Sequence, residues 1–266
     1  MDISIVALTW NSEKYVRTFL DSLLAELADS HYVYELFIID KGSNDNTVAV
    51  IDEYKKQHNQ IKTIYLSENV GTTKSRNMAL KQCTGKYICI IDSDVEVNIG
   101  AFRPLIEELE ADTSIGMVVP KILYPSGKWQ KSVDQFPTVQ HKLNRFLRLR
   151  TIEDKQGDEL LDSAKNQFVD YAISAFWLFK KDILDTVGCL DENYFYAPED
   201  VDYCLNIWKK GYTIKYVPSV AVIHHTQEIS RGLKFNRAKK EHIKGLFYYF
   251  CKHGYIFKKP NFKTNI

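Results

Sequence analysis

The sequence predicts an α/β fold in which a mostly parallel central sheet is covered by helices on both faces. In the first 100 residues, four short apolar runs alternate with stretches whose apolar residues have helical spacing. Strands separated by helices of this length pair in parallel, and such a sheet is buried on both faces. The chain has 266 residues, 45% of them hydrophobic, which is enough for one large domain or two small ones that share a core.

The first 100 residues contain the most regular patterns. We expect strands at residues 3–8, 34–39, 61–66 and 87–91, and helices at 47–58 and 72–82. Another helix begins after Ser12, a residue type that caps helices, and has apolar side chains at 16, 19, 20, 23, 24 and 27. A dense turn cluster at 40–46 ends the second strand.

The regularity weakens after residue 100. We expect a helix at 104–110, a strand at 117–119, a turn at 124–129, a basic amphipathic stretch at 139–150 and a polar loop at 151–167. One or two buried strands follow at 168–179, then a helix at 198–211 and a strand at 213–225 that Pro218 interrupts. Since the sequence has no repeat or low-complexity linker, it predicts two halves, 1–110 and 111–230, on one continuous sheet, followed by a tail at 231–266. We expect the second half to contain a smaller subdomain beside the main part of the sheet.

Charge, cysteine content and hydropathy disfavour several classes of protein. The tail holds ten basic residues and one acidic residue, whereas the 230 residues before it hold 25 basic and 33 acidic. A basic tail on an acidic body is not typical of a nucleic-acid binder. Five widely spaced cysteines without a Cys-x-x-Cys pair favour reduced, buried thiols in a cytosolic protein over a zinc site or a thiol nucleophile. We expect neither a membrane span nor a signal peptide, because no apolar run approaches ~20 residues and the first residues lead directly into a strand.

Polar side chains follow the predicted strands at the edge where such sheets bind ligands. Thr9 and Asn11 follow the first strand, Asp40 the second, and Asp92 and Asp94 the fourth. A dinucleotide-binding turn would need glycines after the first strand, and residues 10–13 contain none. A Walker-type phosphate loop is absent from the sequence as well. The pyrophosphate of a nucleotide ligand therefore needs another source of positive charge, and a metal ion is the first candidate.

Asp92 and Asp94 are the first candidate metal ligands. They lie two residues apart at the end of a strand, so their carboxylates leave the same side of the pleat and repel each other unless a cation lies between them. Oxygen ligands favour Mg²⁺ or Mn²⁺. The alternative is a solvated turn. A calcium loop is excluded, because the sixth position counted from Asp92 is Val97 and the twelfth is Arg103.

Further candidates lie later in the chain. Glu199 and Asp200 follow Pro198 in the first turn of a helix, where they either complement the helix dipole or provide a general base that faces the cleft. His224 and His225 end a strand, so their side chains point to opposite faces, and one of them could complete the coordination begun by Asp94. The alternative for each histidine is an ordinary core or surface position.

Eight segments in a fixed order carry a resemblance to a known family. They lie at 5–11 (Ile-Val-Ala-Leu-Thr-Trp-Asn), 38–47, 68–71 with 76–77, 92–94 (Asp-Ser-Asp), 120–127, 195–205, 211–212 and 222–225. In this order they resemble the inverting nucleotide-sugar glycosyltransferases of family 2, which have the GT-A fold. The sequence is most similar to the rhamnosyltransferase-like branch that builds bacterial surface polysaccharides. The resemblance covers about residues 3–230.

The resemblance implies a role for each motif residue. Asp94 and one of His224 and His225 would hold Mn²⁺ or Mg²⁺ under the diphosphate, and Asp200, supported by Glu199, would deprotonate the acceptor hydroxyl. That hydroxyl then attacks the anomeric carbon from the face opposite the leaving group, which inverts the linkage. The residues implied in binding the nucleotide sugar are Thr9, Asn11, Asp40, Arg76, Asp92, Ser93 and Ser174, with Thr9 and Asp40 near the nucleobase and Asp92 at the ribose.

The resemblance also implies the partners, which are a UDP- or dTDP-linked sugar donor and a glycan or lipid-linked acceptor. It places the protein in the cytoplasm, with peripheral contact at the inner face of the membrane as a further expectation. The basic aromatic tail either lies on an anionic membrane or packs its aromatic side chains on the body.

Two segments depart from the pattern of that branch. Ser174 stands where many relatives have glycine, and its side chain could change which sugar fits the donor pocket. Residues 72–75 replace a small, glycine-rich run, and there Lys74 and Arg76 either assist the diphosphate or belong to a solvated helix face, the interpretation that the sequence favours.

Two other functions compete with a glycosyltransferase. A sugar-phosphate nucleotidyltransferase is disfavoured because the first turn lacks a glycine-rich loop with an arginine. A nucleotide-sugar-binding subunit without turnover is disfavoured because the candidate acids and a histidine are all present.

Overall fold

The computed structural model describes residues 1–138, 166–226 and 237–255, together with 258, 260 and 262, and of residues 237–239 it describes the backbone alone. The predicted amphipathic stretch at 139–150, nearly all of the polar loop at 151–167 and the first residues of the tail lie outside these ranges. No helix in the described ranges combines the length and the apolar character that crossing a bilayer requires.

Strands and helices alternate along the first part of the chain as predicted. The strands are β1 Ile3–Thr9, β2 Tyr34–Asp40, β3 Ile61–Tyr65, β4 Tyr87–Asp92, β5 Val95–Val97, β6 Ile115–Leu123, β7 Val133–Asp134, β8 Gln167–Phe168, β9 Tyr171–Ala172, β10 Phe176–Lys180 and β11 Thr213–His224. The helices are α1 Glu13–Ser30, α2 Thr47–Gln57, α3 Thr72–Leu80, α4 Phe102–Ala111, α5 Lys181–Val187, α6 Glu199–Lys209 and α7 Arg237–His253.

Nine of these strands form one sheet, in the order β3-β2-β1-β4-β10-β6-β11-β5, with β8 pairing with β11. The pairs β1–β2, β2–β3, β1–β4 and β6–β11 are parallel, whereas β10 runs antiparallel to both β4 and β6. Strands β7 and β9 form a separate two-stranded sheet. The predicted α/β fold with a mostly parallel sheet is therefore confirmed, and β10 joins the strands of the first 100 residues to those that follow.

Helices cover both faces of the large sheet because its strands are apolar on both sides. One core packs α1, α2 and α4 on the first face, and a second core packs α3, α5, α6 and α7 on the other. All seven residues of β1 are buried, as expected for a central strand between two helical layers. Three cysteines (83, 89 and 204) lie in these cores as predicted, Cys189 is partly buried and Cys251 is exposed, and all five are free thiols.

Several local features differ from the sequence prediction. Ser12 precedes α1 as expected, but its side chain makes no capping hydrogen bond, and its hydroxyl accepts the N–H of Trp10 at 3.2 Å. By contrast, Pro218 interrupts β11 as predicted, because the pairing of β11 with β6 shifts register between Val217 and Ala221 before the strand continues to His224. The short elements β5 and α5 were not predicted, since three and seven residues are too few to show a period.

Candidate active site

The carboxyl ends of the parallel strands bring the candidate residues to one edge of the sheet. Thr9 pairs with Asp40 in the register of β1 and β2, and Leu8 pairs with Asp92 in the register of β1 and β4. Strand β5 then pairs with the end of β11, which places Val95 opposite His224. Residues far apart in the sequence therefore meet beyond the end of β4.

Asp92, Asp94 and His224 form a compact cluster at this edge. One ligand atom from each of the three lies within 4.8 Å of the other two. Nε2 of His224 is 3.1 Å from Oδ1 of Asp94, and the backbone N–H of His225 donates to the backbone oxygen of Asp94 at 2.8 Å. The backbone bond fixes the turn after β4 against the end of β11, so the spacing of carboxylate and imidazole is built into the sheet.

Gln130 fixes the orientation of the His224 imidazole. Nδ1 of His224 lies 3.1 Å from Oε1 of Gln130, and both residues are buried. An Nδ1–H that donates to this oxygen leaves Nε2 facing the two carboxylates. Burial lowers the pKa of His224, but the hydrogen bond to Asp94 and the charges of both acids outweigh it and raise the pKa overall.

The donor set of this cluster fits a divalent cation. Two carboxylates and one imidazole suit Mn²⁺ or Mg²⁺, whose preferred ligands are mainly oxygen atoms. Burial and the negative charge of Asp94 raise the pKa of Asp92, and Arg76 opposes the rise. Two carboxylates this close repel each other, and a cation between them would relieve that repulsion.

Arg76 links the cluster to the acids at the start of α6. Its Nη2 donates to Oδ1 of Asp92 at 2.8 Å and to the backbone oxygen of Ser174 at 3.2 Å, and its Nη1 lies 3.5 Å from Oε1 of Glu199. The residue is 1% exposed. The prediction of a solvated helix face is therefore wrong for Arg76, because two carboxylates from other parts of the chain draw the guanidinium inward. It holds for Lys74, which is exposed.

Glu199 and Asp200 occupy the first turn of α6 and differ in environment. Glu199 is 6% exposed, and its Oε1 accepts the hydroxyl of Ser174 at 3.1 Å. Burial and the neighbouring charge of Asp200 raise the pKa of Glu199 to about 8, although Arg76 acts in the opposite direction. Asp200 is less buried, and its Oδ1 accepts the N–H of Val201 at 2.8 Å. Glu199 is therefore mostly protonated at neutral pH.

The sequence of the chain decides its family. The protein-family model described as Glycosyl transferase family 2 matches residues 4–188 of the sequence. The chain belongs to glycosyltransferase family 2.

A curated relative of this family-2 glycosyltransferase is the poly-beta-1,6-N-acetyl-D-glucosamine synthase of Staphylococcus epidermidis. The two are 27% identical over 220 residues, which are 81% of the chain and 48% of the relative. The chain thus spans about half the length of this relative.

Solved structures share the fold at low sequence identity. The structure of GalNAc-T7 with UDP, GalNAc and Mn²⁺ has a TM-score of 0.64 and 18% identity, over 84% of the chain and 44% of that protein. The mannosyltransferase PcManGT of Pyrobaculum calidifontis, with GDP-Man and Mn²⁺, has a TM-score of 0.63 and 18% identity, over 97% of the chain and 65% of that protein. The fold is the GT-A fold that the sequence resemblance implied.

Thr9 and Asp40, which the resemblance assigns to the nucleobase side, bind each other in this glycosyltransferase. Oδ1 of Asp40 accepts the hydroxyls of Thr9 at 2.9 Å and Ser43 at 2.5 Å, and its Oδ2 accepts the N–H groups of Gly42 and Ser43. Both Thr9 and Asp40 are 1% exposed. The Asp40 carboxylate therefore shapes the loop after β2, and its acceptor sites are already occupied.

The side chains of Asn11 and Ser93 also form hydrogen bonds with other residues of the protein. Oδ1 of Asn11 accepts the N–H of Asn44 at 2.8 Å, and the hydroxyl of Ser93 lies 3.2 Å from that of Ser12. These contacts join the loops that follow β1, β2 and β4 into one wall of the cleft.

His225 lies apart from the carboxylate cluster. Its Nε2 is 3.1 Å from Oε2 of Glu96, and its ring lies 5.6 Å from that of Tyr15. It borders a cavity of about 380 Å³ whose other lining residues are Lys14, Tyr15, Tyr124, Pro125 and Thr226. The two histidines thus face different surroundings, as the alternation along a strand predicts, and His224 is the one beside Asp94.

The sequence did not point to two residues that the structure places at the site, Gln130 and Lys41. Gln130 carries no motif, and its role depends on the turn after β6 folding back onto the end of β6, where the N–H of Gln130 donates to the oxygen of Ile122 at 2.9 Å. Lys41 directly follows Asp40, and its Nζ makes no hydrogen bond or ion pair within the described ranges. Burial and the charge of Arg76 lower the pKa of Lys41 to about 8, while Asp92 and Glu199 raise it.

Proposed function

We propose that this chain is a metal-dependent, inverting glycosyltransferase that moves a sugar from a nucleoside-diphosphate donor to an acceptor hydroxyl in bacterial surface-glycan assembly. The observation that carries the proposal is the meeting of Asp92, Asp94 and His224 beside Arg76 and Glu199 at the end of a GT-A sheet. The name of the Staphylococcus epidermidis relative supports a role in polysaccharide synthesis. The metal and the nucleotide in the GalNAc-T7 structure support the donor class.

Residues 1–110 provide most of the donor half of the site, and Gln130 and His224 from the second half complete it. Asp94 and His224 would hold Mn²⁺ or Mg²⁺, with Gln130 orienting the imidazole, and Asp92 binds the ribose. When bound, the ion supplies positive charge that stabilises the departing nucleoside diphosphate. The loops that contain Thr9, Asn11, Asp40 and Ser93 form the wall beside the nucleobase of a UDP- or dTDP-linked sugar.

The acceptor half is residues 111–230, and it supplies the base. Asp200 takes the proton of the acceptor hydroxyl, because Glu199 already holds a proton near neutral pH. Glu199 and Ser174 face the donor sugar as hydrogen-bonding groups, and Arg76 holds Glu199 in place. The hydroxyl attacks the anomeric carbon as the bond to the diphosphate breaks on the opposite face, so one displacement inverts the linkage and needs no enzyme nucleophile.

The third part of the proposal is peripheral contact between the tail and the inner face of the cell membrane, where a lipid-linked acceptor lies. One stripe of α7 is exposed and alternates charge with apolar groups: Lys240, Ile243, Lys244 and Phe247. Ile243 is 58% and Phe247 72% exposed. A stripe with this composition suits an anionic lipid surface. The opposite face of α7 packs Tyr249 and Phe250 on the body, which is one of the two alternatives that the sequence left open, and the proposal assigns the exposed stripe to the membrane.

Two measurements test the enzymatic proposal. A panel of nucleotide sugars with Mn²⁺ is screened for thermal stabilisation, because a ligand that binds the folded state raises the midpoint. With the best donor, Asp200→Asn should bind within about twofold of wild type yet lose ~10²-fold or more in transfer. The control is Asp185→Asn, an exposed acid of α5 paired with Lys181. Unchanged transfer by Asp200→Asn would remove it as the base, and pyrophosphate release from a nucleoside triphosphate and a sugar phosphate would indicate a nucleotidyltransferase.

A further inference from the structure

Residues 191–198 lead directly into the acids of α6, so the path of this segment decides where Glu199 and Asp200 stand. The start of α3 holds one side of it. The backbone N–H of Thr72 donates to the oxygen of Phe195 at 2.7 Å, and the hydroxyl of Thr73 donates to the oxygen of Tyr194 at 2.5 Å. These two hydrogen bonds do not involve the tail.

Helix α7 holds the other side through a glycine. A Cβ placed on Gly245 would overlap the backbone oxygen of Ala197 and lie 3.0 Å from Cδ of Pro198. Glycine within a helix costs about 1 kcal/mol of helix stability relative to alanine. What Gly245 provides is room for the backbone of α7 to approach the Ala197 carbonyl closely. The backbone of α7 therefore rests directly on the two residues that precede Glu199.

A partly buried charge network holds α7 in this place. Nζ of Lys252 lies 2.8 Å and 2.9 Å from the two carboxylate oxygens of Asp202 and 2.7 Å from Oδ2 of Asp191. Nε2 of His253 is 2.7 Å from Oδ1 of Asp202, and the hydroxyl of Tyr248 donates to Oδ2 of Asp191 at 3.0 Å. Asp191 begins the segment, and Asp202 belongs to the first turn of α6. The network thus binds both ends of the region that carries the acids.

Asp202 is 2% exposed, so its carboxylate depends on these partners. The hydroxyl of Tyr194 is a further donor to its Oδ1, at 3.0 Å. Removing a partner from a buried charge pair is costly, because the remaining charge is left without compensation. The basic tail and the acidic body therefore meet at a particular site, directly behind the acids of α6.

We propose that α7 is a positioning element for the catalytic acids, and that Gly245 is its positioning residue. The proposal rests on the function proposed above for Asp200. Because the contacts of α7 described above are with residues 191–202 and not with the loops after β1, β2 and β4, moving it should displace the acids of α6 with little effect on the nucleotide side of the donor pocket. A base displaced by a fraction of an ångström slows proton transfer far more than it weakens substrate binding.

Gly245→Ala tests this directly. The added methyl group pushes α7 and the Ala197 carbonyl apart while favouring the helix itself. We expect kcat to fall ~10-fold or more with the donor KM and the affinity for the donor nucleotide within about twofold of wild type. Tyr248→Phe, which removes only the hydroxyl bound to Asp191, is the milder second variant and should lower kcat in the same direction. Cys251→Ala, at an exposed thiol of α7, is the matched control and should leave both constants unchanged.

Two results would overturn the proposal. The first is kcat within about twofold of wild type in Gly245→Ala and Tyr248→Phe. The second is an equal loss of kcat and donor affinity, because α7 would then support the whole domain. Asp200→Asn, assayed beside them, separates the two levels of the argument. If Asp200→Asn keeps full turnover, the proposed base is wrong; if it is inactive while Gly245→Ala is fully active, only the positioning role fails.

Discussion

Nε2 of His224, the last residue of β11, lies 3.1 Å from Oδ1 of Asp94, which precedes β5. The two residues lie far apart in the sequence and meet because β5 and β11 pair antiparallel. Sheet topology therefore places an imidazole beside a carboxylate pair without any special loop. The site depends on that pairing as much as on the acids themselves.

Gln130 should control metal affinity although it does not touch the metal. Gln130→Leu removes the acceptor that orients the His224 imidazole, and we expect Mn²⁺ affinity to fall roughly 10- to 100-fold. Titration of Mn²⁺ followed by electron paramagnetic resonance measures this. Gln82→Leu, at an exposed glutamine after α3, should bind Mn²⁺ like wild type. Equal affinity in both variants would show that Gln130 does not orient the imidazole.

Arg76 should be a major contributor to stability. Arg76→Leu leaves the partly exposed Asp92 carboxylate without its cation and the buried Glu199 without a hydrogen-bond donor, so the free energy of unfolding should fall by about 1–3 kcal/mol. Urea denaturation measures it. Lys74→Leu, two residues away on the exposed face of α3, should change the free energy by no more than about 0.5 kcal/mol. A loss below about 1 kcal/mol for Arg76→Leu would contradict the paired arrangement.

The raised pKa of Glu199 should make stability fall with pH. The unfolded chain releases this proton near the ordinary value of 4.5, whereas the folded chain keeps it until about pH 8. The folded state thus binds more protons between these values, so its stability decreases as pH rises through that range. In Glu199→Gln this contribution is lost, and the thermal midpoint should fall less between pH 5.5 and pH 8.5 than in wild type. Parallel pH profiles would mean that Glu199 titrates normally.

The exposed stripe of α7 should bind anionic bilayers. Phe247→Ser removes its most exposed apolar side chain, and we expect binding to vesicles that contain anionic lipids to weaken ~10-fold, as measured by sedimentation. Val33→Ser, at a side chain that is 60% exposed elsewhere on the body, is the control. Binding that is equal in the two variants, or absent in wild type, would rule out the membrane contact.

The sequence predicted the elements that are long enough for their apolar residues to show a helical or strand period. Helices α1 and α2 begin where expected, because their apolar residues repeat over several turns. Helix α3 also begins where expected, although it has no apolar repeat. By contrast, α5 has seven residues and β5 three, and neither length displays a period. Strand β5 is the element that brings Asp94 to His224, so its omission concealed the geometry of the site.

The sequence predicted which residues form the site but not which of them contact one another. Asp92, Asp94 and a histidine were expected to converge, and the register of the strands brings them together. The burial of Arg76 was not foreseen, because it depends on Asp92 and Glu199 from distant segments. Neither was the internal use of Asp40, whose four hydrogen bonds come from the loop after β2 and from Thr9. These contacts form only when the fold brings distant segments together, so the spacing of residues along the sequence does not indicate them.

Calorimetric titration of UDP and dTDP tests the central claim most directly. Wild type, Asp94→Asn and Glu96→Gln are each titrated in Mn²⁺ and in EDTA. If the carboxylates and His224 hold a cation under the diphosphate, wild type and Glu96→Gln should bind at least one of the nucleotides in Mn²⁺, and about tenfold or more weaker in EDTA. Asp94→Asn should bind weakly in both. Equal affinity with and without the metal, in wild type and Asp94→Asn alike, would contradict the account.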